Sequence, residues 1–485
     1  MRISERLQFA PLSRRTSVGA TSQKRRLMDN TSDLNTDNTF DAAAPVVQEM
    51  RGVSSWLRPY SGSKSVFRPG LIANGFADQA LSVGGVFLAN VALARTRTIE
   101  EYGMFALSYS LFTFLAGLHN AVILEPFTIY GSGRYRDRFS KYLRLTVRSN
   151  LVVCVLLSGT ILLICLLLSW AAPRLASRAL IGLGLTIGVL LSGVLLRRAF
   201  YVERQPALAA QSSLTFFITV SLGLGLALTL HLLDSLSVFL ILALGWIVAG
   251  ASYGRKLFSG KTAETFLESE PGYWSTHWEY TRWVLLTAFV FQLMTQGYYW
   301  LVAAFLSVNE VGDLKAIYNL IAPVDQVFAA FGYLMLPAMA SHYATKQIGS
   351  LFSLWRLFAV TMLGVSVSFA LGLRIVGRGV LHVLYGGKFD GLAPLLFILA
   401  LLPIVMTIGH TINNALKAVE RPKFVFFAYV CSGATTFLGG IPLVIYFGLR
   451  GAVYGMLLSG TAYTATLALG FFLIVHRKSS RLSQP

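Results

Sequence analysis

The chain reads Val-Glu-Arg-Gln-Pro (VERQP) at 202–206 and Val-Glu-Arg-Pro (VERP) at 419–422, each time between two long apolar runs. A short charged phrase repeated at an offset of 217 residues in so hydrophobic a chain asks for a structural reason. Its two addresses along the chain supply one.

Composition sets the solvent first. Of 485 residues, 55% are hydrophobic and 13% charged, with a mean hydropathy of +0.61. Soluble domains are about one-quarter charged. Apolar stretches of the roughly 20 residues needed to cross a bilayer recur along most of the length, so the chain reads as a polytopic membrane protein. A net charge of +19 would suggest nucleic acid in a soluble protein. Here no nucleic-acid partner is expected, because the excess charge follows the membrane. Cys154, Cys165 and Cys431 lie inside apolar runs without metal-ligand spacing and act as small hydrophobes; no metal site is expected. Residues 1–68 are polar and basic, with no apolar core for a signal peptide. They read as a disordered cytoplasmic tail, in which Met28 is a second candidate start.

Twelve spans can be drawn: about 71–94, 102–130, 149–171, 178–197, 207–231, 235–254, 283–306, 313–338, 352–374, 391–415, 424–447 and 451–475. With the N-terminus inside, the 41 Lys and Arg divide into 32 internal and nine external, the latter including Lys315, Arg374, Arg378 and Lys388. That asymmetry follows the positive-inside rule and places both termini in the cytoplasm. Aromatic residues Tyr273, Trp274, Trp278, Tyr280 and Trp283 form an interfacial anchor ahead of span seven. The longest internal loop, about 255–282, divides the chain into an N-lobe over 69–254 and a C-lobe over 283–476, with 477–485 as a second cytoplasmic tail.

The repeated phrase now has matching addresses, the internal loops after spans four and ten. Spans two and eight carry a second match, Glu101-Tyr-Gly103 to Leu111 and Glu310-Val-Gly312 to Leu320, both E-x-G-x5-Y-x-L at an offset of 209. Pro126 and Pro337 follow late in the same two spans; each frees a carbonyl and bends its helix. Two register matches at equivalent spans indicate a duplicated six-span unit. Six is even, so the copies share one orientation and a pseudo-twofold axis along the membrane normal. The expected fold is an all-α membrane protein of twelve helices in two six-helix lobes around a central cavity.

At EYGMFALSYSLF (101–112), YGGKFDGLAPLLFILAL (385–401), NNALKAVERPKF (413–424) and GLRGAVYGMLLSG (448–460), the sequence resembles the multidrug/oligosaccharidyl-lipid/polysaccharide exporter superfamily. Within it, the resemblance is to the polysaccharide-transporter branch of O-antigen and exopolysaccharide flippases, over about 70–475. The resemblance implies a bacterial inner-membrane transporter that moves polyprenyl-diphosphate-linked oligosaccharide to the periplasmic leaflet by alternating access. Its partners would be the lipid-linked sugar, membrane lipids, and polymerase and chain-length components of surface polysaccharide synthesis. A cation-coupled drug or metabolite antiporter of the same superfamily is the first alternative. A membrane polymerase or ligase is the second, weakened by the short external loops.

Polar groups inside spans are costly, about 2.5–3.5 kcal/mol for a central charge, and so face cavities or partners. Asn74 and Asp78 in span one, His119 and Glu125 in span two, Gln292 and Gln296 in span seven, Asp325 in span eight, and His410, Asn413 and Asn414 in span ten are the candidate cavity and coupling residues. Asp78, Asp325 and Glu125 are the carboxylates available for H+ or Na+ coupling; Glu125 also lies within reach of the 134–138 arginines. Arg134, Arg136, Arg197 and Arg198 could receive a diphosphate at the cytoplasmic mouth. The plain alternatives are interhelical hydrogen bonds worth about 0.6 kcal/mol each and topology-setting charge. No Walker A pattern or soluble catalytic domain is present, so neither an enzyme nor a bound cofactor is expected.

Overall fold

The computed structural model describes residues 69–171, 177–258, 273–345, 347–419 and 421–482. The expected tail over 1–68, the middle of the 255–282 linker, Glu420 and the last three residues lie outside them. The described residues form helices and turns without a strand. The helices are α1 (Pro69–Thr96), α2 (Ile99–His119, a π turn Asn120–Leu124, and Glu125–Ser132), α3 (Phe139–Ala171), α4 (Arg178–Val202), α5 (Pro206–Thr229) and α6 (Ser235–Phe258). The second half gives α7 (Tyr273–Phe305), α8 (Val308–Ala344), α9 (Ile348–Tyr385), α10 (Ala393–Leu399 and Leu402–Ala418), α11 (Pro422–Leu438) and α12 (Gly440–Leu482). Gly448 breaks α12 at φ 59°, ψ −139°, and beyond it Gly451 comes so close to Leu443 that a Cβ would meet its carbonyl oxygen at 1.8 Å. The chain therefore reverses at 448. Residues 440–447 complete the crossing begun by α11, as the expected spans 424–447 and 451–475 require.

Among the described residues nine helices, α1 to α6, α9, α10 and α12, are long and apolar enough to cross a membrane. The other three have local reasons for falling short: α7 carries Gln292 and Gln296, α8 carries Asp313, Lys315, Asn319 and Asp325, and α11 has 17 residues. Several helices outrun the expected spans. Helix α3 begins at Phe139 rather than about 149, and α9 continues to Tyr385, so Arg374 and Arg378 are helical rather than in an external loop. These extensions are amphipathic or basic, so hydropathy ends before the backbone hydrogen bonding does.

The repeated phrase is a turn. After α4, Arg204 takes the left-handed conformation (φ 60°), its N–H bonding Tyr201 O and that of Gln205 bonding Phe200 O at 2.8 Å. That is a Schellman ending, and Pro206 then opens α5 at a position needing no N–H donor. After α10 the Arg421 N–H bonds Leu416 O at 2.8 Å, and Pro422 opens α11. Gln205 (φ −116°, ψ 59°) and Arg421 (φ −118°, ψ 53°) are superimposable caps. The structural offset is thus 216, set by the prolines; the Glu-Arg pairs, at 217, are displaced by one position.

The second repeat is also explained by local chemistry. Thr98 caps α2 by accepting from the Glu101 N–H, and Ser307 caps α8 while donating to the Glu310 carboxylate. Both are Ser/Thr-x-x-Glu starts. The glycine two residues on is required by packing between the lobes. A Cβ on Gly103 would sit 1.9 Å from the Val308 carbonyl oxygen, and one on Gly312 would sit 2.9 Å from that of Ile99. Each motif glycine thus faces the first turn of the other lobe's copy. Along the same face of α2, Ser110 accepts from Trp300 Nε1 at 3.0 Å, and Gly117 makes room for Gln292. Small residues at 103, 110 and 117 recur every seventh position, as close helix contact in a membrane favours.

The two ends of the molecule differ. We call the end bearing the α1–α2 turn the first face and the end bearing the α2–α3 turn the second. In the first-face half, one continuous apolar core takes Leu93, Phe105 and Phe239 from the N-lobe and Val302, Ile317, Tyr385 and Phe389 from the C-lobe. In the second-face half the core separates. One cluster around Phe127, Tyr142 and Phe200 belongs to the N-lobe side, and two around Phe328, Phe358 and Leu416, Tyr463 belong to the C-lobe. First-face contacts tie the lobes further: Lys388 Nζ donates to the carbonyls of Ala94 (3.3 Å) and Arg97 (2.6 Å), Arg95 to Val383 O (2.7 Å), and Asn319 to the Tyr102 hydroxyl (2.9 Å).

Candidate functional site

Asp78 lies ten residues into α1 and is 1% exposed. A buried carboxylate needs a full set of donors, and neighbouring helices provide them. Arg197 on α4 donates Nε to Oδ1 at 2.8 Å and Nη2 to Oδ2 at 2.6 Å, a two-pronged pair. Tyr201, one helical turn further along α4, donates its hydroxyl to Oδ2 at 2.7 Å, and Ser213 on α5 donates to Oδ1. Arg197 Nη2 also reaches Gln79 Oε1 at 3.2 Å, and Gln79 Nε2 crosses the lobes to Gln326 Oε1 on α8 at 2.7 Å. Arg197, whose side chain is 16% exposed, is therefore committed to Asp78. Arg198 beside it donates to Asn120 Oδ1 at 3.2 Å in the π turn, while Arg134 and Arg136 are exposed at the second face. Asn74, one turn before Asp78, is half-buried.

The other acids have hydroxyl partners. Asp325 accepts from Tyr318 Oη at 3.1 Å within α8. Glu125 accepts from Tyr280 on α7 at 2.8 Å, so the partner found for it is a tyrosine of the other half. Just ahead of it the Glu125 N–H bonds Asn120 O, widening the helix into its π turn; Pro126, which cannot donate, follows at once. The sequence foresees a bend at Pro126 without showing that a π turn forms it. At Pro337 the backbone of α8 is helical; its side chain lies outside the described residues.

His119 is buried within the N-lobe, its Nε2 2.6 Å from Asn150 Oδ1, and Asn150 in turn donates to Ser192 at 3.0 Å. This chain of bonds joins α2, α3 and α4. Gln292 is buried against Gly117, with Thr295 donating to its Oε1 at 3.2 Å, and Gln296 is half-buried beside it. His410 lies between the rings of Phe328 (5.2 Å) and Tyr463 (6.1 Å), tilted against both. Asn414 donates to His410 O at 3.1 Å, and Asn413 to the Tyr429 hydroxyl at 3.4 Å. The candidates thus divide between an ion-pair centre at Asp78 and separate contacts to hydroxyl, amide and aromatic partners.

Lys315 was counted with the external loops, yet it stands seven residues inside α8. Its Nζ lies 4.9 Å from the ring centre of Tyr109 on α2 and 5.7 Å from that of Tyr299 on α7, an aromatic seat between the lobes. Tyr201, Ser213, Gln79 and Gln326 were also missed. One signal for the last two exists: Asp-Gln occurs at 78–79 and again at 325–326.

At the second face, the start of α7 docks on the N-lobe. The Tyr142 hydroxyl is 2.9 Å from His277 Nε2, Tyr273 reaches Thr146 at 3.4 Å, and Tyr135 stacks on Tyr142 at 4.4 Å. Burial pushes the His277 imidazole down to about 4, so it is neutral near pH 7.

No protein-family model and no curated protein matches the chain. Among solved structures it is similar to a multidrug resistance MATE family transporter of the MOP superfamily in an inward-facing conformation. That match has a TM-score of 0.71 at 11% identity and covers 84% of this chain and 96% of that one. An outward-facing conformation of a multidrug resistance MATE family transporter matches at TM-score 0.61 and 10% identity, over 86% and 96%. A MOP superfamily transporter from Pyrococcus furiosus, described as having a reversed-polarity binding pocket, matches at 0.60 and 10%, over 84% and 95%. The chain therefore has the two-lobed membrane-transporter fold of these proteins, and at this identity the likeness is one of fold.

Proposed function

We propose that the chain is a secondary transporter that carries an amphipathic organic solute by alternating access, with ion coupling at Asp78, in the manner of a drug or metabolite antiporter. The carrying observation is the division of the core. One apolar mass joins the lobes under the first face and separate masses hold them apart toward the second. Two bundles that share one core at one end and keep separate cores at the other are suited to part at the second end, which is what alternating access requires. The multidrug transporters that share the fold support this reading. In this reading the charge asymmetry makes the second face cytoplasmic, and the resemblance to the exporter superfamily implies a bacterial inner membrane.

A second reading, movement of polyprenyl-diphosphate-linked oligosaccharide, draws support from Arg197 and Lys315, cations placed inside helices rather than in loops. One experiment separates the two. Deleting the gene and following surface polysaccharide, lipid-linked intermediates and dye efflux gives opposite results for each. Intact polysaccharide with altered efflux of cationic dyes selects the antiporter; intermediates trapped on the cytoplasmic leaflet select the flippase. If the purified chain in vesicles moves neither class of solute, the transporter reading itself fails.

A further inference from the structure

We propose that the Asp78–Arg197 pair is a proton-linked site for an anionic headgroup: an anion that draws Arg197 away is bound together with a proton on Asp78. The inference rests on the reading of the chain as a transporter coupled at Asp78; it gives the solute a negative charge and changes the coupling from exchange against a proton to movement together with one.

A carboxylate standing alone in a transporter lobe binds either a proton or a cationic solute, so the two compete. Asp78 is placed differently. Both its oxygens are occupied, by the two prongs of Arg197 and the hydroxyls of Tyr201 and Ser213. A cationic solute meets a site that already holds its cation on a tether. An anionic group meets a guanidinium able to exchange one two-pronged acceptor for another, the geometry that carboxylate and phosphate share.

The surroundings decide what happens next. Asp78 is 1% exposed, and ionised carboxylates are not left unpaired in such places. The groups facing it are Arg197, Tyr201 and the adjacent Arg198 from α4, the Ser213 hydroxyl from α5, and the neutral amides of Gln79 and Gln326; α5 carries no ionisable side chain. The one further cation among them, Arg198, is held by Asn120 Oδ1 at 3.2 Å and makes no bond to Asp78, so no replacement cation stands in place. When two N–H bonds of Arg197 pass from Asp78 to the anion, a carboxylate oxygen takes up a proton supplied by the bulk buffer, and the hydroxyls of Tyr201 and Ser213 keep their bonds. The empty pair has no net charge. The site loaded with a monoanion and one proton also has none, so a charged headgroup enters a low-dielectric interior without adding charge to it.

Position favours access from the second face. The Gln79–Gln326 bridge lies beside Arg197, between the lobes, in the half where the core has separated. The duplicate lobe lacks the pair. At the structural offset of 216, Asn413 stands for Arg197 and Tyr429 for Ser213, and these two share one neutral hydrogen bond. Charge exchange is thereby confined to one lobe.

The test uses the full chain in lipid nanodiscs and octyl sulfonate, an anion that does not titrate near neutral pH. Calorimetry in buffers of different ionisation enthalpy reads protons taken up per anion bound, and needs no variant. The expected result is uptake of about one proton, with affinity rising up to about tenfold per unit as pH falls. In Asp78→Asn, proton uptake disappears and affinity becomes independent of pH. In Arg197→Gln, anion binding falls at least about tenfold, the loss of a two-pronged charged contact. Binding without proton uptake in the native chain, or unchanged in Arg197→Gln, overturns the proposal. So does binding of tetraphenylphosphonium with release of a proton that Asp78→Asn abolishes; that result keeps the transporter reading and makes Asp78 a cation exchanger. Vesicle uptake by the native chain, measured in parallel, decides the transporter reading independently.

Discussion

Asp234 accepts from the Ser237 N–H at 2.7 Å while its own N–H donates to the Ser237 hydroxyl, closing the start of α6. Burial alone would raise its carboxyl, but Ser237 and the Arg178 guanidinium at 2.9 Å outweigh that and hold it below the ordinary value. A depressed carboxylate stabilises the fold at pH values above its unfolded pKa, about 4, and that contribution is lost as pH falls through the lower folded value. Asp234→Ala should therefore cost about 1 kcal/mol at neutral pH. Its melting temperature in detergent should approach that of the native chain as pH drops below about 4, while Asp234→Asn keeps much of the cap. Residues of this kind mark the limit of what the sequence discloses. Asp78 stands out there as an acid in an apolar span. That its cation comes from position 197 does not, because nothing local brings α1 and α4 together across 119 residues. Lys315 escaped for a related reason: polar spacing around 309–315 resembles a loop, and only the tyrosines of two other helices make it an interior site.

At the scale of helices, the spans and their pairing were legible because the membrane enforces length and apolarity, and because Pro206 and Pro422 announce the same turn twice. Helix ends beyond the membrane were not, since α3 and α9 continue as charged turns that hydropathy cannot tell from loops. The crossing of α2 with α8 gives a graded prediction. Gly103→Ala places a methyl 1.9 Å from a carbonyl oxygen, and Gly312→Ala places one at 2.9 Å. Both should destabilise, Gly103→Ala at or above the upper end of about 1–3 kcal/mol and Gly312→Ala less. Melting temperatures of the two purified variants give the order. The docked start of α7 responds to acid. His277 is neutral when folded, so its burial favours the docked state fully above about pH 6.5, and the benefit is lost between there and about 4. Hydrogen exchange over 273–282 should quicken across that interval. His277→Gln should flatten the response.

The whole molecule is held shut at the first face by few polar bonds over one large apolar core. Lys388 reaches from the turn after α9 to the last carbonyls of α1 and the residue beyond it, positions whose helical partners have run out. Lys388→Met leaves those carbonyls to water and should raise the first-face accessibility of a cysteine replacing the buried Ala94, read as a several-fold faster reaction with a membrane-impermeant maleimide. An unchanged rate would mean the apolar contact alone keeps that end closed. The two-lobed plan itself was readable from two short repeats. Which end parts could be read only from where the core divides, a collective property that no single residue carries.

Helix α7 is gripped at both ends by different partners. Its first turns bond to Tyr142, Thr146 and Glu125 of the N-lobe, and near its far end Tyr298 bonds to Ser459 on α12 at 2.7 Å. A rod clamped to two bodies is a mechanical constraint on their rocking. If the lobes turn about the first face, the distance between the clamps must change, so either the aromatic dock releases or the helix bends. Each transport cycle would then include a strain step whose height depends on an imidazole and a handful of tyrosines far from any solute. The turnover rate could be tuned at that dock with the affinity of the central site untouched.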